Sequence, residues 1–293
     1  MNSSTIVLFP QGETQHASKV IAAQWHRSQE RLAAVITAET PFHPVDYAWP
    51  DQPGDFGTMS IAGGTFPVVD TIVAACEDGS ASLCFGSDLP KRNTPGWHHL
   101  VAHLVVLSDA EPADIIDRRA NLSVDIQRRL LLSAGHTASH LFSFAFNLHT
   151  RSFWRNNAPK TDSLQNPDVD QLAIQSSRIL LGQSLDRYRF GKTITKSGFN
   201  SAAFLETLDE TCQRINATIR EWINTGGRIS IECSSQTLDA RRQWVCDLPH
   251  GSARMFCGGT HLSDLSQLHN ATVHLDRLPG ELAINVRTTA ILR

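Results

Sequence analysis

Apolar positions recur at steps of three and four from Leu130 through Ala134, Thr137, Leu141 and Phe144 to Leu148. That is the spacing of one helix with a broad, mostly apolar core face. Ser133, His136, His140 and Asn147 run beside the stripe as a narrow polar line. Polar side chains bordering a core face are expected to line a pocket. A second amphipathic helix is written by Leu205, Leu208, Cys212, Ile215, Ile219 and Trp222 and stopped by Gly226-Gly227, since glycine ends helices readily. Its stripe is core.

Elsewhere the pattern is that of strands. Short apolar runs stand at residues 6–9, ended by Pro10, and at residues 33–37. Residues 60–69 read as a hairpin turning on Gly63-Gly64, and residues 71–76 with 81–85 as a second, turning at residues 77–80. Residues 100–107 add another strand. Between them Pro41, Pro44, Pro50, Pro53, Gly54 and Gly57 mark a loop, and residues 108–114 a linker. A further strand begins at residues 228–231, residues 244–245 and 253–256 flank the return to Cys257, and residues 271–275 with 282–286 close the sheet. The expected fold class is therefore α+β. A small antiparallel, barrel-like β domain occupies residues 1–110, and a second domain with an antiparallel sheet occupies residues 111–293. The first 30 residues read as an extension.

A chain of 293 residues is long enough for two such domains, each with its own core. Its 26 Lys/Arg against 29 Asp/Glu leave a net charge of −3, so global charge does not announce a nucleic acid, and phosphate contacts must come from local patches. One such patch is Arg187-Tyr188-Arg189-Phe190-Gly191-Lys192: a basic, aromatic segment able to track an RNA backbone and stack a base, or equally an exposed strand edge. The six cysteines include no Cys-x-x-Cys pair and no signal-peptide pattern opens the chain, which points to a reducing cytoplasm. No apolar run reaches the length of a membrane span. A cytoplasmic protein without a membrane partner is expected; the oligomeric state is left open.

The chemistry concentrates in two short stretches. His136 and His140, four apart, project from one helix face. Cys257 and His261 are also four apart, and Gly258-Gly259 lets the chain turn sharply between them. Three imidazoles and a thiolate form a mixed nitrogen/sulfur set suited to zinc. A metalloprotease would carry Glu directly after its first His; Thr137 stands there instead. His98, His99 and His103 are poorly spaced for one strand face and read as structural. Spacing alone does not separate an ion with an open position, which activates water, from a closed structural one.

His136-Thr137-Ala138-x-His140 with Cys257-Gly258-Gly259-Thr260-His261 resembles the editing domain of alanyl-tRNA synthetase and its free-standing AlaX relatives. Val124-Asp125-x-x-Arg128-Arg129, Asn216-x-x-Ile219 and Gln52-Pro53-Gly54-Asp55-x-Gly57 are similar to further motifs of that family, so the likeness runs from residue 30 to the end. A departure is Tyr47-Ala48-Trp49-Pro50-Asp51, where the family has a run of glycines. The resemblance implies an α/β-sandwich editing domain over residues 111–293. It implies zinc held by His136, His140, Cys257 and His261, with His136, His140 and Thr137 catalytic. Gln52, Asp55, Gly258, Gly259, Arg187 and Arg189 would contact substrate. The implied activity is hydrolysis of mischarged aminoacyl-tRNA, with seryl-tRNA(Ala) the leading substrate and tRNA the partner. Two alternatives stay open: a deacylase for tRNA carrying a non-protein amino acid, and a non-catalytic, zinc-stabilised tRNA-binding protein.

Overall fold

The computed structural model describes residues 3–108 and 110–293, without the side chain of Ser28. Asp109, inside the expected linker, lies outside the described residues. Helices and strands are mixed, and the sheets are antiparallel apart from one two-residue parallel pair. The chain forms two compact units: Met1–Arg129 with Cys233–Arg242, and Leu130–Glu232 with Gln243–Arg293.

In the first unit the strand ladder closes on itself. Strand Gly57–Ile61 pairs with Arg119–Val124, then follow Gln15–Arg27, Leu32–Thr37, Trp97–Val106 and Gly64–Glu77, which returns to Gly57–Ile61. Closure leaves no open edge in the ring, and Val20, Val35, Met59, Ile61, Val105 and Leu122 fill its inside. Two expectations shift as a result. Gln15–Arg27, expected within an extension, is a full member of the ring; its Ala-rich, non-alternating text hides a strand paired on both sides. Arg119–Val124 pairs with two ring strands, so this unit runs past residue 110 to Arg129. The expected Gly63-Gly64 turn falls on Ala62-Gly63, with φ of 51° and 85°. Both central residues of such a two-residue hairpin turn take positive φ, and Gly64 already belongs to the strand.

Residues 233–242 return to this unit through backbone bonds, Val7 N–H to Gln236 C=O at 2.8 Å and Leu238 N–H to Thr5 C=O at 2.9 Å. His99 Nδ1 lies 2.9 Å from Asp239 in the same segment, and His98 Nε2 lies 2.5 Å from Asp78. His103 is fully buried, with Nδ1 2.8 Å from the Val35 carbonyl and Nε2 2.7 Å from Thr40 Oγ1. These three histidines hold the fold.

The second unit is built on a four-stranded antiparallel sheet in the order Ile174–Leu180, Gln183–Arg189, Ala283–Leu292, Leu268–Arg277. Hairpin Arg242–Leu248/Gly251–Phe256 and helix Leu208–Thr225 accompany it. The helix begins at Leu208; Leu205 sits in a separate short helix, Ser201–Glu206. Asn216 clamps the helix to the outer strand: its amide donates to the Val273 carbonyl and accepts the Val273 N–H, at 2.9 and 2.8 Å.

The long helix Ile126–Thr150 is not half-buried as its stripe suggests: every residue from Leu132 to Asn147 is buried. On one side it rides on the hairpin turn at residues 180–183, so close that a Cβ on Gly135 would lie 2.6 Å from the Gln183 carbonyl oxygen. On another, Trp244 packs against His140 and Phe144. The polar line of Ser133, His136, His140 and Asn147 is thereby enclosed.

Candidate metal centre

The long helix delivers His136 and His140 one turn apart, and the loop after strand Gly251–Phe256 delivers Cys257 and His261. One donor atom from each of the four lies within 4.8 Å of every other. Cys257 Sγ stands 3.4 Å from His136 Nε2 and 3.3 Å from His261 Nε2. Ring centroids of His136 and His140 are 4.3 and 4.5 Å from that of His261. A tetrahedral zinc with bonds of about 2.0 Å to nitrogen and about 2.3 Å to sulfur separates its ligand atoms by roughly 3.3–3.5 Å, so both Cys257 distances match a bound ion, and the group as a whole, spread over no more than 4.8 Å, would draw together around one.

Protonation also suits a metal. Burial pushes the His136 imidazole down to about 3, and burial followed by its neighbour His136 pushes His140 down as well. Both rings are neutral near pH 7 and keep a lone pair to offer. His140 Nδ1 is buried without a hydrogen-bond partner, and so is Trp244 Nε1 beside it. His136 and His140 are buried while Cys257 and His261 are half-buried, so the thiol and the third imidazole form the accessible side.

The surrounding groups aim the ligands. Thr137, with no exposed surface, accepts the Leu262 N–H at 3.1 Å, and its hydroxyl lies 3.3 Å from His261 Nδ1. With Nε2 facing the cluster, Nδ1–H donates to that oxygen, which fixes tautomer and ring angle. Ser133 donates to Thr260 Oγ1 at 2.9 Å, tying the helix to the loop, and the Gly259 amide donates to Cys257 Sγ at 3.4 Å. Gly258 is exposed, with nothing within 4 Å of where a Cβ would stand.

Other expected substrate contacts are occupied elsewhere. Asp55 and Gln52 belong to the first unit and are buried there. Arg129 Nε reaches both Asp55 carboxylate oxygens at 2.9 and 3.0 Å, and the His43 N–H donates to the same carboxylate at 2.6 Å. The two motifs carrying Asp55 and Arg129 thus meet in a buried ion pair that braces the loop. Arg187 and Arg189 are exposed on the second strand of the four-stranded sheet, not on an edge. Arg187 pairs with Glu281 at 2.8 Å, and Arg189 lines a separate groove beside Gly191–Ile194. Trp244, the wall beside His140, was singled out by no chemical signal in the sequence, because an apolar aromatic in a strand announces only core.

The arrangement defines a protein of mixed α and β structure with a three-histidine, one-cysteine group able to hold a metal ion. No protein-family model and no curated protein sequence matches the chain. Among the described residues no helix is long and apolar enough to cross a membrane.

Proposed function

We propose that the chain is a trans-acting, zinc-dependent deacylase of mischarged aminoacyl-tRNA, with seryl-tRNA(Ala) the first substrate to test. The observation that carries this reading is the convergence of His136, His140, Cys257 and His261, the same residues whose spacing resembles the alanyl-tRNA editing family. The reaction adds water across an ester: the acyl–oxygen bond breaks, the ribose hydroxyl of the tRNA leaves, and the free amino acid departs as carboxylate. An aminoacyl ester is activated already, so positioning and charge stabilisation suffice. A bound zinc would supply Lewis acidity and lower the pKa of a water. The chain supplies the rest. Neutral His136 and His140 would hold the ion from the buried side, Thr137 orients His261, and Cys257 and His261 stand on the accessible side, from which an ester would approach. The compartment this implies is the cytoplasm, where charged tRNA is found.

A second reading is favoured by the ligand count. Four protein donors complete a tetrahedron, and a complete tetrahedron is the mark of a structural zinc; the chain would then bind tRNA without cutting it. Zinc-loaded protein is to be incubated with a panel of mischarged tRNAs beside a positive control. Loss of the seryl ester from tRNA(Ala), abolished in a folded His261→Ala variant, supports the deacylase. Binding of tRNA with every ester left intact overturns it in favour of the structural zinc. Hydrolysis confined to a tRNA charged with a non-protein amino acid shifts the substrate, a change in keeping with the altered 47–51 loop.

A further inference from the structure

The four-stranded sheet of the second unit turns one face to the core and one to water, a common arrangement for antiparallel sheets. Burial alternates along its strands: Ser184, Asp186 and Tyr188 are buried, whereas Leu185, Arg187 and Arg189 between them are exposed. The register then assembles the outer face. Arg178 lies opposite Leu185, Leu185 opposite Arg287, and Arg287 opposite His274, one exposed row across all four strands. The next row carries Ser176, Arg187, Asn285 and Asp276. Arg189 follows Arg187 on the same face and shares a groove with Lys192. With strands about 4.8 Å apart and about 3.4 Å per residue, these arginines spread over roughly 10 Å across the sheet and roughly 14 Å along it. The exposed carboxylate on these strands is Asp276; Glu281, in the turn before Ala283, pairs with Arg187 and is itself exposed. Four arginines against two carboxylates make a basic face on a chain whose net charge is −3.

We propose that this outer face is a docking surface for the phosphate backbone of a double-stranded RNA segment. A basic stripe on one face of a domain is the electrostatic footprint of a nucleic-acid partner, and the guanidinium fork matches phosphate in two hydrogen bonds. Along roughly 14 Å, one strand of a DNA duplex presents about four phosphates, so several fall on the arginines at once. The four strands contain a single aromatic residue, Tyr188, and it is buried against Phe142 and Phe146 of the long helix. The outer face therefore offers no ring on which to stack an unpaired base. Duplex RNA is held by shape and backbone, whereas single strands need such stacking platforms; the face is suited to the duplex. The inference rests on the deacylase reading for the identity of the RNA, a helical arm of tRNA. The 180–183 turn approaches the long helix at Gly135, beside His136, so an unpaired end that rounds this turn arrives at the helix of the metal group. The arginines anchor the RNA and take no part in the chemistry at the ester.

The probes are uncharged tRNA, an RNA hairpin of unrelated sequence and a single-stranded RNA, each labelled and titrated with the full zinc-loaded chain at several salt concentrations. Binding of tRNA and hairpin is expected, with log affinity falling linearly against log salt. Arg178→Gln and Arg287→Gln, both at exposed positions, weaken the two RNAs alike. Each lowers the salt slope by about one, and the double variant by about two, while the thermal midpoint stays that of the wild type. On charged tRNA the loss falls on KM and spares kcat. Wild-type affinity and slope in the double variant overturn the proposal even if the tRNA ester is cleaved, and so does tighter binding of the single strand than of the hairpin. A chain that binds neither RNA and instead dimerises through this face, with the dimer split by Arg287→Glu, overturns it as well. Slopes lowered as expected, with no ester cleaved by the wild type, keep the docking surface and remove the deacylase reading instead.

Discussion

Thr137 shows how much one hydroxyl decides at this site. Its Oγ1 serves the Leu262 amide and His261 Nδ1 together, so Thr137→Val keeps the volume, strands the buried Leu262 amide and removes the oxygen behind the half-buried His261 ring. Partners behind a metal ligand are commonly worth about 10- to 100-fold in affinity. Zinc affinity measured against a competing chelator is expected to fall by that much in Thr137→Val and to survive in Thr137→Ser. His103 makes a pH statement of the same kind. Burial pushes its pKa down to about 4, whereas in the unfolded chain it is about 6.5. Between those values the unfolded state binds more protons, so stability is full above the unfolded pKa and is lost as pH falls toward 4, by up to about 1.4 kcal/mol per unit. Denaturant titrations at pH 7 and pH 5 should show this loss in wild type and a smaller one in His103→Gln.

At the scale of elements, the long helix is the informative one. Its helical spacing is plain in the sequence, but a spacing reports only which residues share a face. Leu132 to Asn147 are buried all round because Trp244 and the 180–183 turn close on sides that the stripe leaves unassigned. Gly135 separates the two kinds of argument. Helix propensity alone says Gly135→Ala stabilises by about 1 kcal/mol. The new Cβ would press on the backbone of Gln183 and Leu180, at 2.6 to 2.9 Å, and backbone cannot swing aside as a flexible side chain can. Net destabilisation of about 2 kcal/mol is expected, as for other overpacked sites, read as a lower urea midpoint. The ring strands teach the converse. Leu32–Thr37 was legible from its β-branched run, whereas Gln15–Arg27 and Arg119–Val124 were not. Gln15–Arg27 does not alternate cleanly, and Arg119–Val124, which does, is six residues with one β-branched side chain; the strand state of both comes from neighbours on both sides.

For the whole molecule, the candidate ligands come from two stretches about 120 residues apart that fall in the same unit. A metal there ties the long helix to the loop after Phe256, so binding adds directly to the stability of that unit. Removing it with a chelator should lower the thermal midpoint of the second unit, followed through the ring-current-shifted methyl signals of its core, and leave the first unit's transition where it was. A single transition that ignores the chelator would leave the four side chains without a metal to share. The first unit draws its stability from a closed ladder and a separate core.

The sequence by itself determined the mixed helix and strand content, the two helices, the metal-ligating residue types and their spacing. Local periodicity and side-chain chemistry are properties of neighbours along the chain. Tertiary structure alone decided that the ring closes through Gln15–Arg27 and Arg119–Val124, that Asp55 is locked to Arg129, and that Thr137 faces His261. Each of these joins residues far apart in sequence, and what a side chain touches across such a distance is fixed by packing, not by its neighbours in the text.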